Sequence, residues 1–256
     1  MATNPLVSHP HDCIIMPMKL FPSVNTYALM ARYGTVIIDD TARYDKRHKE
    51  AHRYDIADVT GPLSLTVPVA KPGNSSHGLT WHDIPLSRHG NWWHVHRVTL
   101  ESAYGRTPFF EFYIDRLARF CAPSTPDDYA SVADLCRDAY NAVAAILGLE
   151  NTILFKSRLS DGIPAPPTVT SLAPSAIPQS AISQEASGIP QSPISQEASR
   201  IPQSPISQEA SGDPQSIAHY YQVRASRHGF IPNLSILDLI FNLGPESPLH
   251  LLPATF

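Results

Sequence analysis

The chain is poor in several features that would announce a class of function. It has no apolar run approaching the roughly 18 residues that a bilayer-spanning helix needs. Neither charge sign dominates: 19 Lys and Arg stand against 23 Asp and Glu, a net charge of −4. That balance gives no electrostatic case for nucleic acid or an anionic membrane surface. Cysteine is scarce. Cys13, Cys121 and Cys136 are odd in number and widely spaced, which fits free thiols of a reducing cytosol rather than a disulfide framework. The expected location is cytoplasmic. The opening residues, MATNPLVSHPHDCIIMPMKL, lack a charged stretch followed by a continuous apolar one, so no signal peptide is expected. GxGxxG, GxxxxGK[ST] and GxSxG are all missing, so neither a phosphate-cradling glycine loop nor a nucleophile elbow is announced.

What is present in excess is proline, 25 in 256 residues. Many lie in one tract. From Ile177 the chain reads IPQSAISQEASG, IPQSPISQEASR, IPQSPISQEASG and then DPQS, a 12-residue unit repeated three times and begun a fourth. Such a unit is too short for helical solenoid repeats. With two isoleucines and no aromatic residue it buries too little apolar surface to offset about 1–2 kcal/mol of backbone entropy per residue. Residues 161–215 therefore read as a low-complexity, disordered insertion. Residues 1–160 and 216–256 read as one domain interrupted by it, since long surface insertions cost little in loop closure. A docking segment for a proline-reading module is the alternative, but QSPIS lacks a PxxP core with basic flanks.

The remaining 43% apolar chain is patterned as a globule. Thr35–Asp40, TVIIDD, reads as a buried strand ending in two carboxylates; Leu63–Val69 and Asn151–Lys156 read as further strands. Thr125, followed by Pro126, Asp127 and Asp128, marks a helix start. Val132, Leu135, Cys136, Ala139, Val143, Ile146 and Leu147 continue at helical spacing to Gly148. Phe109–Phe120 reads as a second helix, and LSILDLIFNL after Asn233 as a buried third. Interleaved strands and helices predict an α/β (or α+β) fold: a mixed sheet with packed helices, interrupted by the Pro/Ser/Gln repeats.

Several residues could carry chemistry. Asp39 and Asp40 end a buried strand, where α/β proteins place ligands, and could act as base or hold a cation; a solvated turn is the ordinary alternative. Lys46, Arg47 and Arg53 could clamp a phosphate, or be surface cations. His94 and His96 have the spacing that puts two imidazoles on one strand face, but no third ligand has a convincing spacing, so no metal is expected and His96 reads better as an acid or base. His228 precedes a helix start at which Asn233 and Ser235 could receive a phosphate on free N–H groups, with Asp238 in the first turn. Asn233 and Ser235 acting merely as caps, with Asp238 balancing the helix dipole, is the alternative. Tyr104, Phe109, Phe110 and Tyr113 read as core rather than as a sugar-stacking platform. Without a paired histidine, Cys13 is a weak nucleophile candidate.

Three blocks also carry a resemblance. VIIDD with YDKR and LTVPV, SAYGRTPFFEFY, and YYQV with HGFIPNLSILDLIFNLGPE are similar, in that order, to the bacterial WbqC-like family, over about residues 14–158 and 217–250. The chain departs from the family pattern at Met18–Val24, where a tyrosine and a proline are missing, at Arg53, the single counterpart of an Arg-rich run, and at His96-Arg97, where the family has His-Trp. The resemblance implies work in surface-polysaccharide or O-antigen biosynthesis and names no cofactor. The expectation is a transferase acting on an activated sugar or glycan precursor, with Asp40, His96 and His228 as catalytic groups. Asp39, Lys46, Arg53, Asn233, Ser235 and Asp238 would bind a sugar or sugar-phosphate in the same pocket. The alternative is a non-catalytic binding or assembly protein of the polysaccharide machinery. On this reading, deleting 165–212 leaves the far-UV circular dichroism per ordered residue and the melting temperature nearly unchanged. A drop of more than a few degrees would show that the tract packs on the domain.

Overall fold

The computed structural model describes residues 13–70, 78–159, 169–171 and 219–251. It opens with a β-α-β unit. Strand β1 (Cys13–Pro17) leads through helix α1 (Val24–Met30) to β2 (Thr35–Asp39), which lies parallel to it with Cys13 opposite Thr35 and Pro17 opposite Asp39. Both strands are short apolar runs, as expected of strands covered on both faces. Ile14, Met16, Val36 and Ile38 are almost wholly inaccessible. A separate antiparallel hairpin follows, β3 (Arg53–Asp58) and β4 (Gly61–Thr66), turning at Gly61 with φ 125°.

Helices then occupy the chain: α2 (Trp92–Tyr104), α3 (Phe110–Leu117), the single turn α4 (Thr125–Asp128) and α5 (Val132–Leu147). From α5 the chain enters β5 (Thr152–Phe155), parallel to β2, and later β6 (Val169–Ser171), parallel to β1. The principal sheet is thus all parallel, in the order β5-β2-β1-β6. The last described segment holds α6 (Ala225–His228), α7 (Ile236–Leu243) and α8 (Ser247–Leu251). Helix α7 packs against α1, α2, α3 and β3. Tyr104 and Phe110 meet the Phe241 ring at centroid distances of 5.2 and 5.0 Å, so these aromatic residues are core. No helix among the described residues is long and apolar enough to cross a membrane.

The fold is the expected mixture of strands and helices, with local differences. The helix expected to run from Thr125 breaks at Tyr129, whose backbone is extended, and starts again with Ser131 accepting from the Asp134 N–H. Thr125 instead turns its hydroxyl back to Arg119 O at 2.9 Å. Gly148, at φ 62°, ends α5 as its position suggests. Helix α7 is capped by Ser235 rather than Asn233, which sits outside the helix at φ 59°. His94 and His96 lie on helix α2, where a spacing of two residues separates them: His96 is buried and His94 exposed. Val169–Ser171, inside the expected 161–215 insertion, forms β6, so a deletion that tests the insertion has to begin beyond Ser171. The repeats themselves lie outside the described residues.

Leu237 and Phe241 are 2% and 0% exposed. Leu237→Ala should therefore destabilise by about 2–5 kcal/mol through lost burial and a residual cavity, as read from urea unfolding. A loss below about 1 kcal/mol, well under that range, would mean that α7 is peripheral.

Candidate functional site

The parallel register makes the site. Ile38 on β2 lies opposite Phe155 on β5, so the residues that follow, Asp39-Asp40 and Lys156-Ser157, emerge side by side at the carboxyl end of the sheet. Ligands of open α/β sheets bind at that end. The half-buried Asp39 accepts from Thr41 Oγ1 at 2.7 Å and from Lys156 Nζ at 2.9 Å. Asp40 is wholly inaccessible. Its Oδ1 accepts from the Ser157 N–H at 2.9 Å. Its Oδ2 accepts from Ser157 Oγ at 2.6 Å, His82 Nε2 at 3.1 Å and Arg137 Nη2 at 3.3 Å. Burial pushes the Asp40 carboxyl up, but the Ser157 bonds, with His82 and Arg137, outweigh it and hold the group below the usual 3.8. Asp40 is an anion at neutral pH.

His82 reaches Asp40 because its local segment is rigid. The Thr80 N–H and hydroxyl both donate to Asp83 Oδ2, at 2.8 and 2.9 Å, closing a capping box around the short helical turn Trp81–Asp83. Trp81 is buried against Tyr44, their ring centroids 4.9 Å apart. The Asp40 carboxylate fixes the proton on His82 Nε2, leaving the Nδ1 lone pair without a partner among the described residues. The His82 side chain is partly exposed, at 29%. Arg137 completes the cluster. It is held by Asp134 at 2.7 Å and packs its guanidinium over the Phe155 ring at 5.4 Å.

The other residues proposed from sequence make none of these bonds. His96 and Arg53 meet at Thr66, on β4: His96 Nε2 donates to its carbonyl at 3.1 Å and Arg53 Nε to its hydroxyl at 2.9 Å. Tyr54 Oη lies 3.2 Å from His96 Nδ1. Burial pushes the His96 ring down to about 4, so it stays neutral as a buried structural group. Lys46 is exposed on the loop after β2. His228, Asn233, Ser235 and Asp238 form a third neighbourhood around the start of α7. No hydrogen bond or ion pair among the described residues joins these three groups to one another through the residues singled out. At the anion site expected at Asn233–Ser235, the N–H groups of Ser235, Ile236, Leu237 and Asp238 are already bonded, to Asp55 O, Pro22 O, Ser235 Oγ and Ser235 O.

Sequence reasoning missed His82, Arg137, Lys156 and Ser157. The T-x-x-D pattern of Thr80–Asp83 is the signal for the turn that carries His82, and Arg137 is a lone cation inside an apolar helix face. The remaining link, β2 beside β5, is set by tertiary pairing alone. Compared with known families, residues 18–171 match the WbqC-like protein family. No curated protein and no solved structure matches the chain.

His96 offers a clean pH test. Its pKa falls from 6.5 to about 4 on folding. Its contribution to stability is therefore complete above pH 6.5 and is lost as pH falls towards 4, by about 3 kcal/mol in total. His96→Gln should remove that much of the change in unfolding free energy between pH 7 and pH 4. An unchanged slope would mean that the ring is not buried neutral.

Proposed function

The chain belongs to the WbqC-like protein family, and on that premise we propose that it acts in surface-polysaccharide or O-antigen biosynthesis as a transferase on an activated sugar or glycan precursor. The observation that carries this reading is the Asp40–His82 pair at the carboxyl end of a parallel sheet. A buried, fully hydrogen-bonded carboxylate fixes the imidazole tautomer and stabilises the imidazolium that forms when Nδ1 takes a proton, which is the arrangement of a general base.

In this reading the acceptor hydroxyl lies against His82 Nδ1. Its oxygen attacks the anomeric carbon of the activated sugar while its proton passes to Nδ1. The bond from that carbon to the leaving phosphate oxygen breaks, and the electron pair departs with the phosphate. Lys156, its side chain 48% exposed beside Asp39, is placed to offset the charge of the departing group. Asp40 remains ionised throughout. Arg137 and Ser157 act by position, holding the carboxylate that holds the base.

The assembly-protein reading draws on exposed apolar side chains, chiefly Phe112 on α3 and Leu249 on α8, which are 74% and 70% exposed. One experiment separates the two. A thermal-shift screen of nucleotide sugars, with and without divalent ions, should find a compound that raises the melting temperature. With that compound and a glycan acceptor, His82→Ala should lower transfer by about 10²–10⁴-fold without changing the unliganded melting temperature by more than a few degrees. No stabilisation by any activated sugar, or full activity in His82→Ala, would defeat the transferase reading.

A further inference from the structure

One oxygen of Asp40 is crowded. A carboxylate oxygen has about two lone-pair sites, yet three side chains donate to Oδ2: Ser157 Oγ at 2.6 Å, His82 Nε2 at 3.1 Å and Arg137 Nη2 at 3.3 Å. Oδ1 has one donor among the described residues, the Ser157 N–H at 2.9 Å. The two longer bonds to Oδ2 therefore compete, and the competitors are unequal. Arg137 is always charged, and a guanidinium favours gripping a carboxylate with two parallel N–H donors. His82, when it serves as a base, donates as a neutral ring, and a neutral donor is the weaker of the two. A free Arg137 would close on both oxygens of Asp40, and His82 would lose its anchor.

Arg137 is not free. Its fork is split between two carboxylates: Nη1 goes to Asp134 Oδ1 at 2.7 Å, while Nη2 reaches Asp40 by the longest of the three bonds. Nε is buried and has no partner among the described residues, so the guanidinium is not seated in its best geometry on either acid. The restraint lies within α5, because Asp134 and Arg137 are three residues apart and share a helix face. Asp134 is itself fixed, its Oδ2 accepting from Ser131 Oγ at 2.8 Å. The turn that carries His82 is docked on the same helix start by a separate bond, Val132 N to Ile84 O at 2.9 Å.

We propose that Asp134 is a positioning residue for His82: by holding Arg137 Nη1 it keeps the guanidinium from closing on Asp40, and so leaves Oδ2 to the imidazole. This rests on the reading of Asp40 and His82 as the base. Asp134 acts through two other side chains. Capping of α5 does not require its carboxylate, since the backbone N–H of residue 134 already donates to Ser131 Oγ at 3.2 Å.

The test reads the ring proton on His82 Nε2 in the proton NMR spectrum of the full chain. Held on a buried carboxylate, that proton exchanges slowly with water and resonates far downfield; His82→Ala assigns the signal by removing it. The wild type should show it and Asp134→Ala should lose it, while the signal of the His96 ring on Thr66 O stays in both. Combining Asp134→Ala with Arg137→Met should restore it, because methionine keeps an apolar stem against Phe155 and has no donor. A residue that only supported α5 would not be rescued by a second loss. Should the double variant not fold, Asp134→Glu decides in its place by retaining the signal, since it keeps a carboxylate for Arg137. A signal that survives in Asp134→Ala, or stays lost in the folded double variant, would overturn the proposal and leave the Asp40–His82 base standing. Its absence from the wild type would overturn both.

Discussion

One buried carboxylate holds the carboxyl end of the sheet together. Removing an ion from water costs several kcal/mol even after relaxation, and a buried charge persists only where its lone pairs are met by donors. Asp40 meets that condition through three other parts of the chain: Ser157 after β5, Arg137 on α5, and His82 on the Trp81 turn. Because each donor comes from a different element, the same bonds that offset the burial of the charge also fix those elements relative to one another. Arg137 is itself clamped by Asp134, whose other oxygen accepts from the helix cap Ser131. The orientation of α5 is thereby tied to the chemistry-bearing end of β2.

A second buried carboxylate, Asp238, shows the opposite balance. Burial outweighs its hydrogen bonds, so its pKa is raised where that of Asp40 is lowered. The two shifts oppose each other in their effect on stability with pH. Asp40 adds stability above the usual carboxylate pKa and loses it as pH falls through its lowered value. Asp238 disfavours its own ionisation, and its contribution fades as pH rises through its raised value. A carboxylate held ionised, as that of Asp40 is, is suited to positioning an imidazole.

The physics that was local was legible in the sequence, and the physics that was tertiary was not. TVIIDD announced β2 and its carboxylates because a short β-branched run bounded by polar residues has few other readings. LSILDLIFNL announced α7 because an apolar pattern of that length, closed by Gly244-Pro245, ends as helices end. The two-residue spacing of His94 and His96, weighed as one strand face, falls on a helix instead. Trp92, His96, Leu100 and Tyr104, all buried at intervals of four, are the helical signal that prevailed. His96, expected as an acid or base, faces Tyr54 and the carbonyl of Thr66 from α2. The proposed base, His82, stands 42 residues from Asp40, and only the fold makes them neighbours.

The loop after β1 shows how the late segment reaches the sheet. Among the described residues two non-glycine positions have positive φ, Phe21 at 42° and Asn233 at 59°, and they flank one junction. There Val24 N donates to Leu234 O, Ile236 N to Pro22 O, and Ser235 Oγ to Phe21 O. Phe21 is held further by Tyr54 and Phe120, both edge-on at 5.2 and 5.3 Å. A phenylalanine in the left-handed region costs on the order of 1–3 kcal/mol and persists only where its surroundings over-determine it. Here those surroundings come partly from residues 234–236, far beyond the 18–171 stretch matched by the family. The loop that follows β1 thus takes its shape from a segment encoded more than two hundred residues later.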